Sequence, residues 1–334
     1  MFRPNNLVVV TAIFVLAGCA QLPAVHVRVG SAPQPAPFAR LAVGDTPQAV
    51  GIAQRILKSH GSAADAAAAL ALGLAVTLPS VAGIGGGGEC LVHEATGTTR
   101  VLRMNTLLPG LRVLQSTSGR LSWSQVVAPA ERLARFGHPV SQALAKDLKN
   151  SAATLNDSAA LTTFMNARRQ LLQAGDALLQ PALAETLART RVGVSETSGD
   201  VPQWRDAPFA DQDSSRVFAL GGAQQGTAAT SFVVGDSDGT VVACVLTMGR
   251  LFGAGKMQPG EGYLQADTNQ VRAAALTATI SVDRASGRVM AARAAGAYAN
   301  TMDCAAQNEL GTSLCTATAD ARGAGLAVVL SEGE

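Results

Sequence analysis

The sequence predicts a mixed α+β fold in which sheets are covered by helices. Three observations carry that prediction. Periodic patterns come in blocks, ordered helices, hairpin, helices, hairpins, which points away from alternating βαβ units. The 334 residues are 48% hydrophobic and 15% charged, a balance that buries a large core and argues against disorder. One helical stretch, Ala66 to Val76, is apolar on every side and therefore belongs inside the molecule. The net charge of +2, without any Lys/Arg run, gives no electrostatic footprint for nucleic acid.

The chain opens "MFRPNNLVVVTAIFVLAGC": a positive start at Arg3, an apolar run from Leu7 to Leu16, then small residues. That reads as a secretory signal, too short for a spanning helix. Its end, Leu16-Ala17-Gly18-Cys19, resembles the bacterial lipobox. The resemblance implies cleavage before Cys19 and lipidation of that residue, so membrane lipid is an expected partner. Ala20 rather than an acidic residue follows, which favours the outer membrane, facing the periplasm. Residues 1–18 are then the signal. Residues 19–40, with Pro23, Pro33, Pro35 and Pro37, are a tether.

Asp45-Thr46-Pro47 supplies a cap and a first-turn proline for a helix that ends at Gly61, with Val50, Ala53 and Leu57 on one face. Ser62 and Asp65 have capping-box spacing for the apolar helix, which Pro79 stops. The glycines from Gly83 to Gly88 follow a helix and precede a strand. That is the wrong order for a phosphate loop; they let backbone or ligand approach closely. Glu89–Glu94 and Thr99–Met104 read as a hairpin turning at Thr96-Gly97. Leu107 to Leu187 is helical with loops near Gly119, Gly137 and Gly175, and Gly193 to Gln225 is polar and loop-like. Two hairpins follow, turning at Asp236–Gly239 and at Ser286-Gly287.

An exported chain meets oxidising conditions. Cys304 and Cys315, close together in a polar C-terminal loop, are the expected disulfide; Cys90 and Cys244, in apolar strand-like runs, read as buried small hydrophobes. His26, His60, His93 and His138 are isolated, lack metal-ligand spacing and read as surface or loop residues. No metal or cofactor is expected, and no G-x-S-x-G elbow or catalytic cysteine signature occurs.

Five stretches, in order, resemble the gamma-glutamyltranspeptidase (gamma-glutamyltransferase) family of N-terminal nucleophile hydrolases: "AVGIAQRILKSHGSAADAAAALALGLAVTLPSVAGIGGGGECLV", "GRLSWSQVVAPAERLARFGHPVS", "AGDALLQPALAETLA", "DSDGTVVACVLTMGRLFGAG" and "ADARGAGLAVV". The resemblance implies an αββα sandwich, with 41–192 like the large subunit, 193–228 a polar connection and 229–334 like the small subunit. A section of the usual large subunit is missing between about Val192 and Gln225. It also implies a mechanism. The precursor cuts itself before a threonine, whose hydroxyl then attacks a γ-glutamyl amide while its α-amine, of pKa roughly 8, accepts the proton. Backbone N–H groups steady the oxyanion, and an arginine holds the substrate carboxylate. Expected partners are γ-glutamyl compounds or a peptide.

Carried over residue by residue, that machinery is largely replaced here. Ala229 falls at the nucleophile, Thr230 at the second threonine and Ser231 at the histidine. The family's Asn falls on Gly249 and its Ser-Ser pair on Thr277 and Ala278. Its Gly-Gly oxyanion loop falls near Gly296-Ala297, and its Arg-Glu-x-Ala-Pro segment appears as Asn105-Thr106-Leu107-Leu108-Pro109, without the Arg. Thr277, Gly296 and Ala297 are thus the substrate-contacting positions. One reading is a lipid-anchored relative whose turnover is weak or lost, left with a binding or scaffold role in the cell envelope. The alternative is an active, self-cutting enzyme shifted by one residue, with Thr230 as nucleophile.

Overall fold

The computed structural model describes residues 40–155, 157–193, 201–220, 228–274, 276–295, 306–307, 312–316 and 326–330. The signal, Cys19 and the tether up to residue 39 lie outside them, as do Gly296, Ala297 and Cys304.

Strand β1 (Leu41–Gly44) leads at once into α1 (Pro47–Lys58), where Thr46 Oγ1 caps the Ala49 N–H. In α2 (Ala63–Thr77) Ser62 and Asp65 form the expected reciprocal capping box, and every residue is buried. The buried Asp65 carboxylate accepts from the N–H groups of Ser62, Arg120 and Leu121 at 2.8–3.1 Å, which offsets its desolvation. The hairpin is β2 (Gly87–His93) and β3 (Thr99–Met104). A Cβ on Gly88 would stand 2.3 Å from the Val245 carbonyl oxygen, and one on Gly87 2.4 Å from that of Met104. The glycines therefore serve backbone meeting backbone.

Next come α3 (Leu107–Ser118), α4 (Trp123–Phe136), β4 (His138–Pro139), α5 (Gln142–Ser151), α6 (Ser158–Thr163), β5 (Ala177–Leu178) and α7 (Pro181–Arg191). The stretch read as a polar loop holds three strands: β6 (Gln203–Asp206), β7 (Phe209–Gln212) and β8 (Ser215–Ala219). β6 and β7 are mostly exposed edge strands, and β8, between β7 and β11, is largely half-buried, so the stretch carries no clear apolar alternation to read. Strands β9 (Ala229–Gly235) and β10 (Val241–Thr247) form the next hairpin. Then come α8 (Thr268–Ala273), β11 (Thr277–Asp283) and β12 (Val289–Ala295). The expected polar C-terminal loop contains β13 (Ala306–Gln307), β14 (Thr312–Thr316) and β15 (Leu326–Leu330), and Cys315 lies in β14 opposite Ala327.

The first sheet runs β1-β9-β10-β2-β3-β6 and the second β13-β14-β15-β12-β11-β8-β7, both antiparallel. The two stack face to face on a core that includes Leu91, Val233 and Val245 from the first and Ile280, Val282 and Phe218 from the second. A second core fills the space between the other face of the first sheet and the helices, with Phe232, Val234 and Leu102 against Leu70, Leu74 and Leu111. The described residues thus build a helical layer and two sheets of the sandwich.

Two cysteines correct the sequence reading. Cys90 and Cys244 face each other directly across β2 and β10, with Cα atoms 4.1 Å apart, and are joined by a disulfide. Two histidines do likewise. His93 and His138 are buried, and desolvation holds both pKa values below the ordinary imidazole value.

Candidate functional site

Strand alternation sorts the candidate residues before any chemistry does. Successive side chains of β9 point to opposite faces of the sheet. Ala229 and Val233 belong to the core between the sheets, and Phe232 and Val234 to the core beneath the helices. Thr230 shares the helix-side face. It is fully buried, and its hydroxyl donates a hydrogen bond to Asp45 Oδ2, immediately before the cap of α1. Ser231, also fully buried, faces the other way, and its hydroxyl donates to the Ala294 carbonyl of β12 across the sheet interface at 3.0 Å.

That bond gathers the positions identified in the sequence. Ala294 pairs with Ala278 of β11, so Ala229, Ser231, Ala278 and Ala294 share one region between the sheets. All four are buried. Thr277 is not part of this group: it is exposed and lies on the opposite face of β11 from Ala278. Gly296 and Ala297 lie just beyond the end of β12, outside the described residues.

The strand entrance is tied down as well. Thr247 Oγ1 donates to the Ala228 carbonyl at 2.6 Å and accepts from the Gly249 N–H at 2.9 Å. Ala228 supplies the carbonyl that a hydroxyl at position 229 would attack. Gly249 has a φ of +83°, and a Cβ there would stand 2.6 Å from the Asp267 carbonyl oxygen. An asparagine at 249 would therefore need the 267–270 backbone to move.

Further along the same face of the first sheet, buried Glu89 accepts from Arg103 Nη1 at 3.0 Å and Arg205 Nη2 at 3.2 Å through one oxygen. Sequence reasoning missed this trio, Asp45 and the Ser231 bond. Asp45 was visible only as part of a helix start, and Arg205 sits in an edge strand without a pattern. Among the described residues no cluster of His, Cys, Asp or Glu could hold a metal ion.

The family model for gamma-glutamyltranspeptidase matches residues 49–110 and 105–194. Over that stretch this chain is similar to the gamma-glutamyltranspeptidase family. Curated relatives agree. Human glutathione hydrolase 7 is 30% identical over 173 residues, covering 43% of this chain and 26% of the relative. The Escherichia coli glutathione hydrolase proenzyme is 29% identical over 168 residues, covering 40% of this chain and 29% of the relative. The matches thus span between a quarter and a third of those relatives' length. Among solved structures, a cephalosporin acylase from Bacillus halodurans superposes with a TM-score of 0.64, covering 79% of each chain at 16% identity. That likeness identifies the N-terminal nucleophile hydrolase fold. Within the gamma-glutamyltranspeptidase frame, β9 is the strand expected to begin with the nucleophile, and here it begins with a methyl group.

Proposed function

We propose that this gamma-glutamyltranspeptidase relative is an exported, lipid-anchored protein that remains a single chain, with turnover weak or lost. It acts in the cell envelope by binding, and kinship with glutathione hydrolases makes γ-glutamyl compounds the ligand class. One observation carries the reading: the face of β9 that looks between the sheets presents Ala229 and Ser231, while the threonine hydroxyl lies on the opposite face against Asp45. A one-residue shift does not rescue the nucleophile, because moving by one along a strand exchanges its faces. Removing the nucleophile of a serine protease lowers turnover on the order of a millionfold. A self-cut that needs the same hydroxyl fails with it. The Cys90–Cys244 disulfide supports the exported location, since such bonds persist in oxidising compartments.

The test is denaturing electrophoresis with intact-mass measurement on the mature protein, paired with release of chromophore from a γ-glutamyl anilide. One band and background hydrolysis are expected. Two fragments meeting at Ala229 or Thr230, with hydrolysis abolished by Thr230→Ala, would return the chain to the active enzymes.

A further inference from the structure

Helices α1 and α4 both lie on α2, and between them runs an open groove of about 590 Å³. Ile52 and Gly51 line one wall and Pro129 and Leu133 the other. Phe136 stands at its end, 75% exposed, and Leu179, 53% exposed, lies against Gly137 beside it. Two large apolar side chains left in water side by side mark an interaction surface.

The rim is cationic. Arg55 and Arg132 line the groove, and Lys58 is exposed one turn beyond Arg55 on α1. None of the three forms an ion pair among the described residues. Glu131 is the one acidic residue in either helix, and it is held by Arg135 and Arg191. An apolar surface edged by unneutralised cations fits a partner that is apolar inside and anionic at its surface.

We infer that the α1/α4 face docks on an anionic lipid surface. Phe136 and Leu179 enter the boundary between headgroups and acyl chains, and Arg55, Lys58 and Arg132 meet the phosphates. The proposal rests on the lipid-anchored reading above. Residues 20–40 separate the lipidation site from β1, a reach of at most about 70 Å, and β1 leads directly into α1. A tether of that length lets this face reach the bilayer, and docking adds to the attachment that the acylated cysteine provides.

The experiment places the full lipid-anchored chain carrying Phe136→Trp in vesicles, with the parent chain as background for Trp123 and Trp204. Vesicles contain brominated phosphatidylglycerol or, for comparison, brominated phosphatidylcholine alone. The introduced indole is expected to be quenched on the anionic vesicles, much less on the zwitterionic ones, and to recover in high salt. Each cation near an anionic surface shifts docking by about fivefold, so Arg55→Gln with Lys58→Gln and Arg132→Gln lowers the docked-to-undocked ratio by about a hundredfold. Flotation with the vesicles but no quenching overturns the docking face and leaves the anchor standing. No flotation overturns both. A dimer in sedimentation that buries the introduced indole and is unaffected by lipid also overturns the proposal, by assigning the face to a second copy of the chain.

Discussion

The two faces of β9 differ in what they hold. Toward the helices, Thr230, Phe232 and Val234 meet a hydroxyl–carboxylate contact and close apolar packing. Toward the second sheet, Ala229 and Ser231 meet Ala278 and Ala294, with one hydroxyl bonded to a carbonyl. The first face joins sheet to helices. The second carries the position that the gamma-glutamyltranspeptidase resemblance assigns to the nucleophile, and here it holds three alanines and a serine. On the reading proposed above, fold and activity lie on opposite sides of one strand, so the second could be lost while the first is kept.

The most disruptive way to probe that contrast is Phe232→Ala. Phe232 is fully buried on the helix-side face, and removing its ring should cost about 3–5 kcal/mol, read as a drop in the denaturant midpoint. A loss much below that range would mean the helix-side face is not what holds the sheet in place. The disulfide comes next. Cys90 and Cys244 also face the helices, and their bond closes a loop of 154 residues. The double change to alanine should cost about 2–5 kcal/mol, and reductant should lower the melting temperature of the parent chain but not of the variant.

Much of the helix-side half was legible in the sequence, because local rules mark it. Thr46-Pro47 and the Ser62/Asp65 pair announce α1 and α2, and turn glycines announce the hairpins. The disulfide was not legible. Cys90 and Cys244 look like any small apolar residue in a strand, and only the pairing of β2 with β10 puts them opposite each other. Strands β6 and β7 were missed because exposed edge strands need not alternate. The site positions could be aligned, but not which way each pointed. β9 is buried on both faces, so polarity does not distinguish them, and the alternation of Thr230 against Ala229 had to be read from the sheet.

Smaller changes sharpen the contrast within β9 itself. Thr230→Val keeps the shape and removes the donor to Asp45, so it should cost about 1–3 kcal/mol and leave γ-glutamyl anilide hydrolysis where it was. Ser231→Ala removes the bond to Ala294 and should cost about 0.5–1.5 kcal/mol. If Thr230→Val lowered hydrolysis by orders of magnitude without changing stability, the two faces would have been assigned the wrong roles.

The mildest test uses one histidine from each region. His93 lies on the intersheet side: its Nδ1 is 2.8 Å from Thr99 Oγ1 and its ring meets Phe218 of the second sheet. His138 lies on the helix side, with Nε2 3.2 Å from the Val76 carbonyl at the end of α2. Desolvation lowers both pKa values and outweighs the backbone hydrogen bonds, and at His93 the nearby Glu94 charge, that raise them. A histidine lowered in the folded state leaves the unfolded chain to take up protons first. Its contribution to stability is thus complete above about pH 6.5, erodes as pH falls through that value, and levels off only once the folded imidazole also protonates. Thermal unfolding between pH 8 and 5 should follow that course. His93→Gln and His138→Gln should each remove part of the slope, identifying which core resists protonation more strongly. A melting temperature that rises on acidification across this window would show that neither ring is held neutral by burial, and the two cores would then have to be compared on packing alone.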